Sequence, residues 1–311
     1  MSSRYSPDQL ALMIKAEALR LGFDACGIAA AEGVTDAAHL RKWLEEGCAA
    51  EMHYMHNHFE KRTDPRLLVE GARSVIVVAL NYYPAVKQAE GVPAFSYYAY
   101  GKDYHDVVKA KLRELYAFIA QHTEVAPEGR VFTDSAPVLE RYWAVRAGLG
   151  FIGKNTQLII PGKGSYFFLG EMILDLDLPA DTPLKRSCGN CTRCLDHCPP
   201  GALTCAGRLD ARLCISYQTI ENRGEISETV RPTLGDHLYG CDVCQQVCPW
   251  NRFARPNQTP EFYPSEEFLA LDREKLAAMT EDDFQRIFKG SAVKRAGYKG
   301  ILRNLRAITE E

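Results

Sequence analysis

"CGNCTRCLDHCPP", residues 188–200, packs four cysteines into eleven residues and closes on a proline pair. Its spacing is C-x2-C-x2-C-x3-C-P. A shorter version, C-x2-C-x3-C-P, recurs at Cys241, Cys244 and Cys248. Cys205 and Cys214 stand between the two, and of eleven cysteines only Cys26 and Cys48 lie elsewhere. The start, "MSSRYSPDQLAL", has no basic segment leading into a long apolar stretch, so no signal peptide is expected. No apolar run approaches the ~20 residues of a membrane span. The expectation is therefore a cytoplasmic protein away from membranes. Reducing surroundings argue against a disulfide scaffold and for metal.

The cysteine spacing is that of a two-cluster bacterial ferredoxin, in which the fourth cysteine of a motif ligates the other cluster. Each [4Fe–4S] cube takes four thiolates. The crossover rule assigns Cys188, Cys191, Cys194 and Cys248 to the first cluster, and Cys198, Cys241, Cys244 and one more to the second. Aligning the two Cys-Pro ends puts Leu238 where the missing cysteine would stand. Cys214, on a helix starting near Asp210, is the candidate; Cys205, close behind Cys198, is its competitor. Structural zinc is the simpler alternative, but its ligands usually arrive as two separated pairs. Cys26 and Cys48 read as buried apolar cysteines.

Two adjacent clusters mean electron transfer, and a ferredoxin needs little else. Here 187 residues precede them, so the electrons serve something the first domain holds. Hydrophobic residues make up 46% and charged residues 25%, and the net charge is −3. That is ordinary for a globular protein, and contact with nucleic acid requires a local basic patch.

Ser6-Pro7 opens a helix with Leu10, Ile14, Ala18 and Leu21 on one face and Gly22 at its end. A second helix is predicted from Thr35 to Gly47. "SVIVVALNYY" (74–83) reads as a buried strand, and a helix runs from Asp103 to 122. "RVFTDSAP" (130–137) reads as a strand ending at Asp134, with a helix from Pro137 to Gly148. Residues 156–178 read as two strands around Pro-Gly-Lys-Gly. The class is α+β: an α/β domain over 1–180, a ferredoxin-like domain over 181–255 and a helical segment over 256–311.

The first domain lacks a G-x-G-x-x-G after a strand, which argues against a dinucleotide site. "DYHDVV" (103–108) nearly matches the D-x-H-x-x-G pattern of proteins that bind cobalamin through histidine, but Val108 replaces the glycine. "GLGFIGKN" (148–155) has glycines suited to close approach of backbone to a large flat ligand, or to a plain helix–strand connection. Asp134, at a strand end, is the candidate catalytic residue; a helix N-cap is its alternative.

"YAYGKDYHDVVKAKL", "VFTDSAPVLERYWAVRAGLGFIGKNTQLI", the cysteine block and "CISYQTIENRG" together resemble the epoxyqueuosine reductases, over about residues 5 to 305. The resemblance implies a cobalamin-binding domain of nitroreductase-like and reductive-dehalogenase-like fold, two [4Fe–4S] clusters, and removal of an epoxide oxygen at the tRNA wobble position. It makes Asp134 the proton donor, a role that needs a neutral carboxyl kept so by burial against the corrin. It places Asn57, Tyr97, Lys102, His105, Lys154, Asn155, Leu158 and Ser216 at the cobalamin surface beside Asp134.

Many members continue into a helical-repeat domain beyond the point matching "GYKGILRNLRAI", where this chain stops. The remaining strip for tRNA is Lys289 to Arg306, with six basic residues and no acidic one. Asn222, Arg223, Lys294, Arg295, Lys299 and Arg303 are the candidate contacts. The expected partners are tRNA and a low-potential electron donor, and the expected state is a monomer. Two rivals are a corrinoid-dependent reductase of small molecules, of reductive-dehalogenase type, and a ferredoxin-type electron carrier.

Overall fold

The computed structural model describes residues 5–309. Strands β1 (Ala25–Ala30), β2 (Ser74–Asn81), β3 (Gly129–Phe132) and β4 (Phe167–Leu174) form one sheet in the order β1–β2–β4–β3. Every neighbouring pair is antiparallel. The run "SVIVVALN" makes β2 the axis, because seven of its eight residues are buried. Ile76, Val78 and Leu80 enter one core and Val75, Val77 and Ala79 the other, as the two-residue period of a strand requires. Helices α1 (Pro7–Arg20) and α2 (Tyr104–His122) cover the first face through Leu10, Ile14, Leu112 and Leu115. Helix α3 (Glu140–Arg146) covers the second through Trp143 and Ala144.

The helix at Ser6-Pro7 forms as its sequence predicts, with a capping box between Ser6 and Gln9. The predicted helix over 35–47 is shorter, Ala37–Glu45. The segment 130–148 differs more. The strand stops at Phe132 and the helix starts at Glu140, so residues 133–139 form a loop around Asp134. The stretch 156–178 also differs. Its first strand, Leu158–Ile159, pairs with Phe151–Ile152, while β4 joins the main sheet.

The segment after β2 leaves the first domain's core. Ala94–Phe95 pairs in parallel with His237–Tyr239. Phe95, Ala99 and Tyr100 then pack with Phe268, Phe284, Phe288 and Ile301 of the C-terminal helices. The last of these is α4 (Gly297–Thr309). The tail is thus tied to the start of α2, the helix whose first turn faces Asp134.

Candidate functional site

The cysteines come together in two groups. Cys188, Cys191, Cys194 and Cys248 line one cavity, walled also by Lys154, Asn155 and Trp250. Two single-turn helices, Arg193–Asp196 and Val243–Gln246, pack on each other and carry Cys194 and Cys244. Cys198, Cys214, Cys241 and Cys244 form the second group. Burial pushes the Cys241 thiol up to about 12, and the nearby Cys214 and Cys198 add to it. Cys244 is raised by burial and then by Cys241, Cys214 and Cys198. Crowded thiolates are costly without a cation, so this donor set suits iron.

Among the described residues no three such side chains are gathered around a single metal ion. A cube of iron and sulfide holds its thiolates farther apart than zinc, whose Zn–S bonds are about 2.3 Å. Cys205 is exposed at the end of the strand Leu203–Cys205. The helix expected to start near Asp210 does not form there; Cys214 precedes a π-helical turn, Tyr217–Glu221. Cys48 is buried, and burial pushes Cys26 up to about 12.

Asp134 stands just past β3 with a left-handed backbone, φ 47°, strained for a residue other than glycine. Its amide donates to Glu140 Oε1 and its Oδ2 accepts from Tyr104 Oη. Tyr104 is stacked on Phe168 at 4.2 Å. His105 Nδ1 lies 2.6 Å from Asp103 Oδ1 and its Nε2 3.8 Å from Asp134 Oδ2. Burial works against protonation of His105, but the Asp103 carboxylate outweighs it and Asp134 adds, so the imidazole is raised above its ordinary value. The Asp134 side chain is 61% exposed. The protein's own side chains do not bury it, so the burial expected for this acid is missing from the chain itself.

The other predicted cofactor residues lie in several places. Lys154 donates its amide to Cys188 Sγ at 3.4 Å, and Asn155 Nδ2 donates to the Cys244 carbonyl at 3.2 Å. Ser216 Oγ accepts from the Cys241 amide, and Tyr97 donates its amide to Asp242. Lys154 thus meets a thiol, Asn155 and Ser216 the backbone of Cys244 and Cys241, and Tyr97 the residue after Cys241. Leu158 is buried in the core under α3. Lys102 is exposed, and Asn57 lies exposed in a turn. The glycines of "GLGFIGKN" approach their own chain rather than a ligand: a Cβ on Gly150 would sit 2.2 Å from the Ile159 carbonyl oxygen.

Sequence reasoning missed Arg62 and Ser96. Arg62 Nε is buried and has no hydrogen-bond partner among the described residues, while the buried Ser96 hydroxyl faces the Asp242 carboxylate. Arg62 Nη2 donates to the Tyr54 carbonyl at 2.9 Å. The Tyr54 hydroxyl in turn feels the charges of Glu221, Asp134, Arg295 and Arg62. A buried guanidinium nitrogen without a partner is rare in a folded protein. Within "FEKRTDP" an arginine carries no periodic signal to reveal this.

The basic tail divides. Lys294 and Lys299 are exposed. Arg295 pairs with Glu221 at 2.7 Å and lies over Tyr54 at 5.9 Å. Arg223 is exposed and donates weakly to the Ala296 carbonyl. Arg303 corrects the expectation of a tRNA contact. It is 9% exposed, and its guanidinium serves the carbonyls of Gln218, Asn222 and Gly224 and the Asn304 side chain. Asn222 is buried too, with its amide spent on Gln218 and Glu225.

Comparison with known proteins gives these groupings a family. Residues 62–135 match the model described as epoxyqueuosine reductase QueG, DUF1730, and residues 187–251 match a 4Fe-4S double cluster binding domain. An epoxyqueuosine reductase of Cellulophaga algicola is 48% identical over 295 residues, covering 94% of this chain and 96% of the relative. A crystal structure of epoxyqueuosine reductase with an epoxyqueuosine-modified tRNA stem loop superposes with a TM-score of 0.86 at 33% identity, covering 96% of this chain and 80% of that one. A catabolic reductive dehalogenase shares the fold, with a TM-score of 0.52 at 18% identity, covering 93% of this chain and 38% of that one. Aligned over 94% of its length with a relative 48% identical, the chain belongs to the epoxyqueuosine reductase family, as an oxidoreductase with a double [4Fe–4S] cluster domain.

Proposed function

We propose that this chain reduces epoxyqueuosine to queuosine at the wobble position of tRNA, consuming two electrons and two protons and releasing the oxygen as water. Family membership and an exposed carboxyl at the mouth of β3 carry the reading. Cys188, Cys191, Cys194 and Cys248 hold one cluster, and Cys198, Cys214, Cys241 and Cys244 the other. Arg62, with its unpartnered buried Nε, fits a cobalamin wall beside Tyr97, His105 and Asp134. When bound, the clusters supply single electrons and cobalamin supplies reducing cobalt chemistry.

Asp134 holds the proton that the leaving oxygen takes. Tyr104 occupies Oδ2, which leaves Oδ1 to carry it. After the transfer, the Tyr104 hydroxyl and a protonated His105 stabilise the carboxylate. Lys294, Lys299 and Arg223 offer exposed charge to tRNA phosphates. No helix among the described residues is long and apolar enough to cross a membrane. The working state is a cytoplasmic monomer fed by a low-potential carrier, divided into units 1–180, 181–255 and 256–311. Expression in cells that accumulate epoxyqueuosine tests the reading. The chain restores queuosine in their tRNA and Asp134→Asn does not; restoration by neither, with both proteins loaded with iron, would overturn it.

A further inference from the structure

Glu171 lies at the centre of the sheet, in β4, with Val77 and Phe132 opposite it on the two flanking strands. It is fully buried, at 0% exposure, and among the described residues no N–H or hydroxyl donates to either carboxyl oxygen. Its strand neighbours Leu169 and Ile173 point into the core under α3, so Glu171 does too. There it meets Glu140, the first residue of α3. Glu140 Oε1 accepts the Asp134 amide.

The Glu140 and Glu171 carboxyls are within hydrogen-bonding reach of each other, but two ionised carboxylates are all acceptor and no donor, so a bond between them needs a proton on one. Burial raises the proton affinity of both, and the charges of the pair and of Asp134 raise it further. The cation that lowers Glu140 is Arg141, whose Nη1 donates to the Thr156 carbonyl at 2.8 Å. The pair is therefore not neutralised by a salt bridge.

We propose that Glu171 and Glu140 share one proton, and that this shared proton holds Glu140 where it grips the Asp134 backbone. Both are positioning residues; neither gives a proton to substrate. The O–H of one carboxyl bonds to the other, and the second oxygen of Glu140 stays on the Asp134 amide. This bond restrains a left-handed aspartate, φ 47°, that would otherwise relax. When the proton leaves, two buried negative charges repel and the loop over 133–139 is released. The inference rests on the reading of Asp134 as the acid.

Hydrogen–deuterium exchange on the iron-loaded chain without substrate reads the grip directly. Between about pH 6 and about pH 10, the Asp134 amide should lose about tenfold of its protection beyond the intrinsic rise in exchange. In Glu171→Gln the side-chain amide donates to ionised Glu140, so the protection persists to the higher pH. Glu140→Gln should behave alike, its oxygen still accepting the Asp134 amide. Equal loss in wild type and Glu171→Gln, or no loss in wild type, would overturn the proposal. Carbon NMR of labelled glutamate in the wild-type chain needs no variant: one glutamate carboxyl must remain protonated at neutral pH, and full ionisation of all of them would refute the shared proton. The exchange pattern without any change in tRNA would defeat the functional reading and leave the pairing standing.

Discussion

Lys154 donates its backbone N–H to Cys188 Sγ at 3.4 Å. This contact ties the loop after α3 to the first cysteine of the motif. The next residue, Asn155, reaches the carbonyl of Cys244 in the second group. One dipeptide therefore touches both thiol groups, and the loop that follows the acid's helix is anchored on them.

The choice of Cys214 over Cys205 predicts an iron count. Anaerobically prepared wild-type chain should carry about eight irons, Cys214→Ser about four, and Cys205→Ser about eight. Iron and sulfide analysis decides it. Half the iron in Cys205→Ser would move the ligand from Cys214 to Cys205.

Asp134→Asn should keep iron and cobalamin and lose turnover by about 10²- to 10⁴-fold, the size of a general-acid contribution. Visible spectra follow the cofactors and nucleoside analysis follows turnover. A variant that loses its cofactors along with activity would show a binding role instead.

The acid pair also makes stability depend on pH. Glu140 titrates near 4.5 when unfolded and is raised to about 8 in the fold, burial being the larger cause and Asp134 the next. The folded state then binds more protons than the unfolded state, so stability falls as pH rises through that window. Thermal unfolding followed from about pH 5 to about pH 9 should show the decline, and Glu171→Gln should flatten it. A slope unchanged by the variant would separate the pair from this dependence.

Arg303 and Lys299 lie on the same helix and should respond differently to mutation. Lys294→Glu with Lys299→Glu should weaken tRNA binding and flatten its salt dependence while the fold stays intact. Arg303→Met should instead destabilise the fold by about 3 kcal/mol, because the buried carbonyls of Gln218 and Asn222 lose their donor. Salt titration of tRNA binding and chemical denaturation read the two effects.

Local features are the legible ones. The cysteine spacing and the Ser6–Gln9 capping box are written in a few consecutive residues, and the apolar run of β2 announces burial on both faces. The strand "ACGIAA" (25–30) carries little strand preference. It forms because β2 offers it a partner, and Gly27 lets it pass under α3, where a Cβ would sit 2.0 Å from the Ala147 carbonyl oxygen. The loop around Asp134 is equally hidden, since a grip by Glu140 backed by Glu171 depends on strand order. Arg303 reads as one of a row of basic side chains, and only the packing of α4 on the turn at Gln218–Gly224 shows that it faces inward.

The central claim is that electrons passed inward from the thiol-bound clusters remove an oxygen atom from tRNA beside Asp134. The most direct measurement incubates the chain, loaded with iron and cobalamin under a strong reductant, with epoxyqueuosine-containing tRNA and weighs the released nucleosides. The account predicts a nucleoside lighter by one oxygen, formed by wild type and not by Asp134→Asn. Unchanged epoxyqueuosine with both cofactors bound and reduced would contradict it.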